Sequence, residues 1–180
     1  MTRPNRSTRT AGPGGARRGR RGALGVAAAL TVLATVAACG GPASTPDAHP
    51  LSGPTYEVTT AKIKGLGTVL VDGKGLTLYL FVPDDHSSKS VCSGTCAVAW
   101  PPLVLPKGVS APLAGNGVTS AFLRTTTRAD GRVQVTYNGW PLYRWSADLS
   151  AGQATGQGLF NSGGPWYVVS PKGGPIRTLA

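Results

Sequence analysis

The stretch "GTVLVDGKGLTLYLFVPD", residues 67–84, returns without a gap as "GRVQVTYNGWPLYRWSAD", residues 131–148. Gly67/Gly131, Val69/Val133, Val71/Val135, Gly75/Gly139, Leu78/Leu142, Tyr79/Tyr143 and Asp84/Asp148 are identical, and Phe81 and Trp145 match in kind. Seven identities in 18 positions mark a duplicated unit. Each copy reads as strand, tight turn, strand: Val69 and Val71 on one face, a turn through Asp72-Gly73 or Asn138-Gly139, then a returning strand that carries Tyr79 or Tyr143. An upstream run precedes each hairpin, "YEVTTAKI" from Tyr56 and "AFLRTTTR" from Ala121, and a tryptophan-led run follows, "WPPLVLPKG" from Trp100 and "WYVVSPKG" from Trp166. No stretch holds a helical period over three turns. The prediction is therefore all-β: two pseudo-symmetric repeats of about four strands, over about 55–110 and 118–176. They pack as a small sandwich or barrel, because one unit alone leaves an apolar face in water.

Both copies end in Tyr-x-aromatic-x-x-Asp, as "YLFVPD" (79–84) and "YRWSAD" (143–148). Strand alternation places Tyr79 with Phe81, and Tyr143 with Trp145, on one face. Asp84 and Asp148 follow the strand, where a carboxylate accepts hydrogen bonds from loop amides. The leading reading is core aromatics and a loop-closing aspartate once per repeat. The alternative is an aromatic and carboxylate surface that grips a sugar or peptide.

In front of the repeats, residues 3–21 hold seven arginines and no acid, and 22–38, "GALGVAAALTVLATVAA", are small and apolar. A basic n-region followed by a short h-region is an export leader rather than a permanent span. It runs into "VAAC", which resembles a lipobox, the bacterial lipoprotein signal. By that resemblance residues 1–38 are cut away and Cys39 takes a diacylglycerol, which predicts a lipid-anchored domain on the extracytoplasmic face of the cell membrane. The arginine pairs Arg17-Arg18 and Arg20-Arg21 leave the choice between general and twin-arginine export open. Loss of the leader removes seven of 18 basic residues and no acid, so the formal charge falls from +11 to +4 (11 basic against seven acidic). A nucleic-acid partner loses its support with that charge. Residues 39–54 combine the lipidated cysteine with a Gly, Pro, Ser and Thr linker that lacks the apolar surface to order itself, and His49 lies in it. The β domain is assigned to 55–180.

Together with "CSGTCAVAWPPL" (92–103), the two hexapeptides and the lipobox resemble the bacterial secreted-repeat lipoprotein family, described by that Tyr-x-aromatic-x-x-Asp motif, over roughly Tyr56 to Lys172. The resemblance implies an envelope location and no particular chemistry. The second repeat lacks the cysteine pair, so thiol chemistry would belong to one repeat alone.

With Cys39 assigned to lipid, Cys92 and Cys96 remain as an even pair in an oxidising compartment, and a disulfide staple is the first reading. The alternative is a copper or thiol-redox accessory role, with two thiolates and a nitrogen from His86. Against it stand the absence of methionine beyond Met1 and of any histidine after Cys96. No Gly-x-Ser-x-Gly elbow is present, and no serine has a convincing histidine partner, so no catalytic residue is assigned. Asp84 and Asp148, equivalent by pseudo-symmetry, do not look like a glycosidase pair, whose environments differ. The favoured function is a non-enzymatic envelope protein whose β domain binds or spaces a surface ligand, with no cofactor. A carbohydrate-binding module would need Trp100, Trp140, Trp145 or Trp166 exposed.

Overall fold

The computed structural model describes residues 52–178. Cys39, His49 and the leader lie outside the described residues. The chain runs β1 (Glu57–Ile63), β2 (Gly67–Asp72), β3 (Tyr79–Phe81), α1 (Thr95–Ala99), β4 (Leu113–Ala114), β5 (Leu123–Thr127), β6 (Val133–Tyr137), β7 (Trp140–Pro141), β8 (Phe160–Asn161) and β9 (Gly164–Val168). Among the described residues the fold is all-β apart from the single turn of α1 and two three-residue 3-10 turns.

The strands form three three-stranded sheets, β2-β1-β4, β3-β9-β8 and β5-β6-β7, in place of two independent four-stranded units. The difference lies in the tryptophan-led runs, which cross over. β9 of the second repeat pairs with β3 of the first, Tyr79 opposite Val168 and Phe81 opposite Trp166. The first repeat's run bridges to the second instead, Pro102 to Tyr143 and Val104 to Gln134. Pro101 and Pro102 have no N–H to give a ladder, so that run makes isolated bridges rather than a strand. Crossing over also covers β3, which is buried on both faces: Tyr79 and Phe81 belong to one apolar cluster and Leu80 to another. A lone hairpin would leave one of those faces in water.

The ungapped alignment of the two copies fails ahead of the hairpin turn. Val58 pairs with Asp72 and Leu123 with Tyr137, so β1–β2 and β5–β6 are equivalent at a displacement of 65 (123 − 58 and 137 − 72). After the turn the displacement is 64: Leu78 N–H bonds to Leu70 O, and Leu142 N–H to Val135 O. The cause is loop length. In the second repeat Tyr137 pairs directly with Trp140 across Asn138-Gly139, both at positive φ, the backbone of a two-residue type I′ turn. In the first, Asp72 N–H bonds to Leu76 O across Gly73, Lys74 and Gly75, with the Asp72 carboxylate accepting from the amides of Lys74 and Leu76. The turn thus centres on Gly73–Gly75, not on Asp72-Gly73. One residue of slip exchanges faces. Val69 and Val71 belong to one core cluster, as expected of a shared face, while Val135 belongs to the other. The matches Gly67/Gly131, Val69/Val133 and Val71/Val135 are identities of letters, not of position.

Candidate functional site

The two motif copies meet at the pseudo-twofold axis that relates the repeats. Tyr79 N–H bonds to Tyr143 O at 2.8 Å, and Tyr143 N–H to Tyr79 O at 3.0 Å. The side chains are exchanged in the same way: Tyr79 O–H donates to Asp148 Oδ2 at 2.6 Å and Tyr143 O–H to Asp84 Oδ2 at 2.7 Å. The second oxygen of each carboxylate closes its own loop, Asp84 Oδ1 on Val91 N–H at 2.8 Å and Asp148 Oδ1 on Thr155 N–H at 2.9 Å, each seven residues downstream. The aspartates therefore close loops, as the sequence suggests, and also lock one repeat to the other. All four side chains are buried. Burial, and then the neighbouring carboxylate, raise both phenols well above the ordinary tyrosine range. Burial also pushes Asp84 up to about 6, against the opposing effects of Val91 N–H, the Tyr143 hydroxyl and Arg128.

The motif aromatics form a palindrome of rings. Phe81 stacks on Trp166 (centroids 4.2 Å apart), Trp166 on Trp100 (3.9 Å, 1° between planes), and Trp100 lies 4.2 Å from Trp145. Tyr79 meets Trp100 edge-on and Tyr143 meets Trp166 edge-on. The Phe81–Trp166, Trp166–Trp100 and Trp100–Trp145 pairs thus join one repeat to the other, adding about 0.5–1.5 kcal/mol per aromatic pair beyond simple burial. Gly156 makes room for this stack: a Cβ there would sit 2.8 Å from the end of the Trp100 ring.

Around the axis the repeats differ. At the displacement of 65, Ile63, Leu66, Val69 and Val71 of the first repeat correspond to Arg128, Gly131, Gln134 and Thr136 of the second. The first set is buried in the apolar core, whereas the second is polar or lacks a side chain. Arg128, whose side chain is 4% exposed, donates to Ser90 Oγ at 2.5 Å, Gln134 Oε1 at 2.6 Å and Cys92 O at 2.6 Å. Ser90 Oγ is in turn hydrogen-bonded to Tyr143 Oη at 2.8 Å, which joins the guanidinium to the Tyr143–Asp84 pair. Gln134 Nε2 donates to Leu142 O, and Thr136 Oγ1 is buried without a partner. Beside this network a cleft of about 630 Å³ opens between the cysteine loop and the β5–β6 turn, lined by Ser90, Ser93, Val98, Arg128, Asp130 and Arg132 among others. Arg132 pairs with Asp130 at 2.7 Å and holds that carboxyl well below the usual range. Arg128, Ser90 and Gln134 escaped the sequence reading; comparison of "AFLRTTTR" with "YEVTTAKI" at 65 rather than 64 aligns Arg128 with Ile63.

Cys92 and Cys96 are joined in a disulfide across the start of α1, and both are buried. Bridged sulfurs offer no thiolates, and the exposed His86 ring lies 5.1 Å from Trp140, against Gly139. These residues do not fit a copper ion: among the described residues no three His, Cys, Asp or Glu side chains converge on a point that could hold a metal. Trp100 and Trp166 are fully buried, which removes them from a carbohydrate platform; Trp140 and Trp145 are half-buried. The physical reason is the crossover, which turns both tryptophan-led runs into the molecular centre.

A family model described as a secreted repeat of unknown function matches residues 60–104 and again 124–170. Each match contains one hairpin, one motif copy and one of the two core tryptophans. No curated protein and no solved structure matches the chain. No helix among the described residues is long and apolar enough to cross a membrane.

Proposed function

Since the chain belongs to this family of secreted repeats, we propose that it acts outside the cytoplasm as a lipid-anchored, non-enzymatic envelope protein whose β domain binds a surface ligand. In this reading Cys39 carries the lipid, residues 40–54 hold the domain off the membrane, and the duplicated motif builds the domain rather than performing chemistry. The observation that carries it is the reciprocal pairing of Tyr79 with Asp148 and Tyr143 with Asp84. A catalytic acid or base must reach a substrate proton. Here the motif's hydroxyls and carboxylates are buried and engaged with each other, at an axis that any two-repeat packing must fill.

The anchor is tested by expressing the full chain and its Cys39→Ser variant in a lipoprotein-processing bacterium. The expected result is a membrane-bound parent whose mature N-terminal peptide carries a diacylglycerol mass on Cys39, and a variant released from the membrane. A free Cys39 thiol in the parent, or a variant that stays with the membrane, would sink the anchor assignment.

A further inference from the structure

We infer that the cleft between the cysteine loop and the β5–β6 turn binds an anionic oxygen group, a carboxylate or phosphate, carried on a hydroxyl-bearing scaffold such as a sugar or polyol. The inference deepens the proposed binding role and rests on it.

Duplication supplies an internal control. In the first repeat the turn joining β1 to β2 closes as Leu66 N–H bonds to Ile63 O, and both side chains are buried in the apolar core. The equivalent turn in the second repeat closes as Gly131 N–H bonds to Arg128 O. Here Arg128 replaces the apolar anchor and lines the cleft, while Gly131, which has no side chain, lines a smaller cleft beside it. Burying a guanidinium where an isoleucine served before is costly unless it is paired, and four hydrogen bonds hold this one.

The charges select the ligand's sign. Asp130 is the one carboxylate lining the cleft, and it is shared between Arg132 at 2.7 Å and Arg128 at 3.5 Å. The other acceptors around Arg128 are neutral. Along the cleft wall two guanidinium groups stand against one carboxylate, a net positive lining. The buried Asp84, which also feels the charge of Arg128, lies behind Ser90 and Tyr143. Lys107 lines the smaller cleft, of about 310 Å³, which shares Arg132. Arg132 is half exposed and therefore accessible to a ligand, and its planar fork suits an oxyanion. Ser93 offers a partner to hydroxyl groups, as does Asp130 Oδ1, which among the described residues accepts only the Arg132 backbone N–H. Ala97 and the 75%-exposed Val98 give the C–H face of a sugar an apolar wall.

The test uses the full lipidated chain in mild detergent, titrated calorimetrically with a glucuronate oligomer, a glycerol-phosphate oligomer and a neutral glucan oligomer. One or both anionic probes should bind, and the pair separates carboxylate from phosphodiester recognition. Arg132→Glu, on a half-exposed side chain, should lower the thermal midpoint by no more than a few degrees, through loss of its surface ion pair with Asp130. It should weaken binding about tenfold or more, whereas Asp130→Asn should tighten it about threefold. Equal binding of the neutral glucan, no binding of either anionic probe, or indifference to Arg132→Glu would overturn the assignment. Retention on purified envelope polymer distinguishes the two levels. A chain retained equally with and without Arg132→Glu keeps the envelope-binding role and loses this cleft; a chain not retained at all loses both.

Discussion

Tyr143 carries more of the structure than its size suggests, because its backbone and hydroxyl both meet the other repeat while its ring packs edge-on against Trp166 of its own. Removing the hydroxyl in Tyr143→Phe leaves Asp84 buried with one amide donor from Val91. The expected loss is about 1–3 kcal/mol, with a similar loss for Tyr79→Phe, measured by urea denaturation. Asp84 also makes stability depend on pH. Its carboxyl titrates at about 6 in the folded chain against 3.8 in the reference state, so between those values the folded protein keeps a proton that the unfolded chain has released. The contribution is complete below about pH 4 and is lost as pH rises through 6, at most about 3 kcal/mol for a shift of about two units. Unfolding free energies from pH 4 to 7 should fall for the parent and lie flatter for Asp84→Asn; an unchanged slope in the variant would show that another group titrates.

At the scale of elements, the two hairpins act as controls for each other. Thr136 occupies the place that Val71 fills in the first repeat, yet its hydroxyl is buried without a partner. Thr136→Val should therefore raise stability by about 1 kcal/mol, seen as a higher urea midpoint at constant m-value. The cysteine loop differs in the same sense. Its counterpart in the second repeat, 64 residues on, has Gly156 at the place of Cys92, beneath the Trp100 ring. A ring with only three residues between the sulfurs restrains little chain entropy, about 2 kcal/mol. Cys92→Ala with Cys96→Ala should cost no more than that. It should speed amide exchange over residues 90–99 while the amides of Tyr79 and Tyr143 stay protected, because the axis has its own hydrogen bonds.

The whole molecule should fold as one cooperative unit. Its repeats exchange their tryptophan-led runs, their motif hydroxyls and their stacked rings. Residues 52–116 and 117–178 expressed separately should each show no cooperative thermal transition, and mixing them should restore the near-ultraviolet signal of the packed tryptophans. A half that melts cooperatively alone would contradict the exchange. Composition and local pattern were enough to read an all-β duplication, the paired cysteines and the Asn138-Gly139 turn, since alternation, turn chemistry and cysteine parity act over a few residues. Membership of the secreted-repeat family was legible from the same letters. Tertiary structure alone decided which repeat each tyrosine serves. It also moved the register of β6 by one residue, through the length of a single loop, and so put Arg128 and Gln134 where the first repeat keeps Ile63 and Val69. Those outcomes depend on contacts between residues far apart in the chain, such as Tyr79 with Asp148, 69 positions on, and with Val168, 89 positions on (168 − 79). The choice between pairing within a repeat and across repeats turns on which arrangement buries both faces of β3, and no local pattern records that.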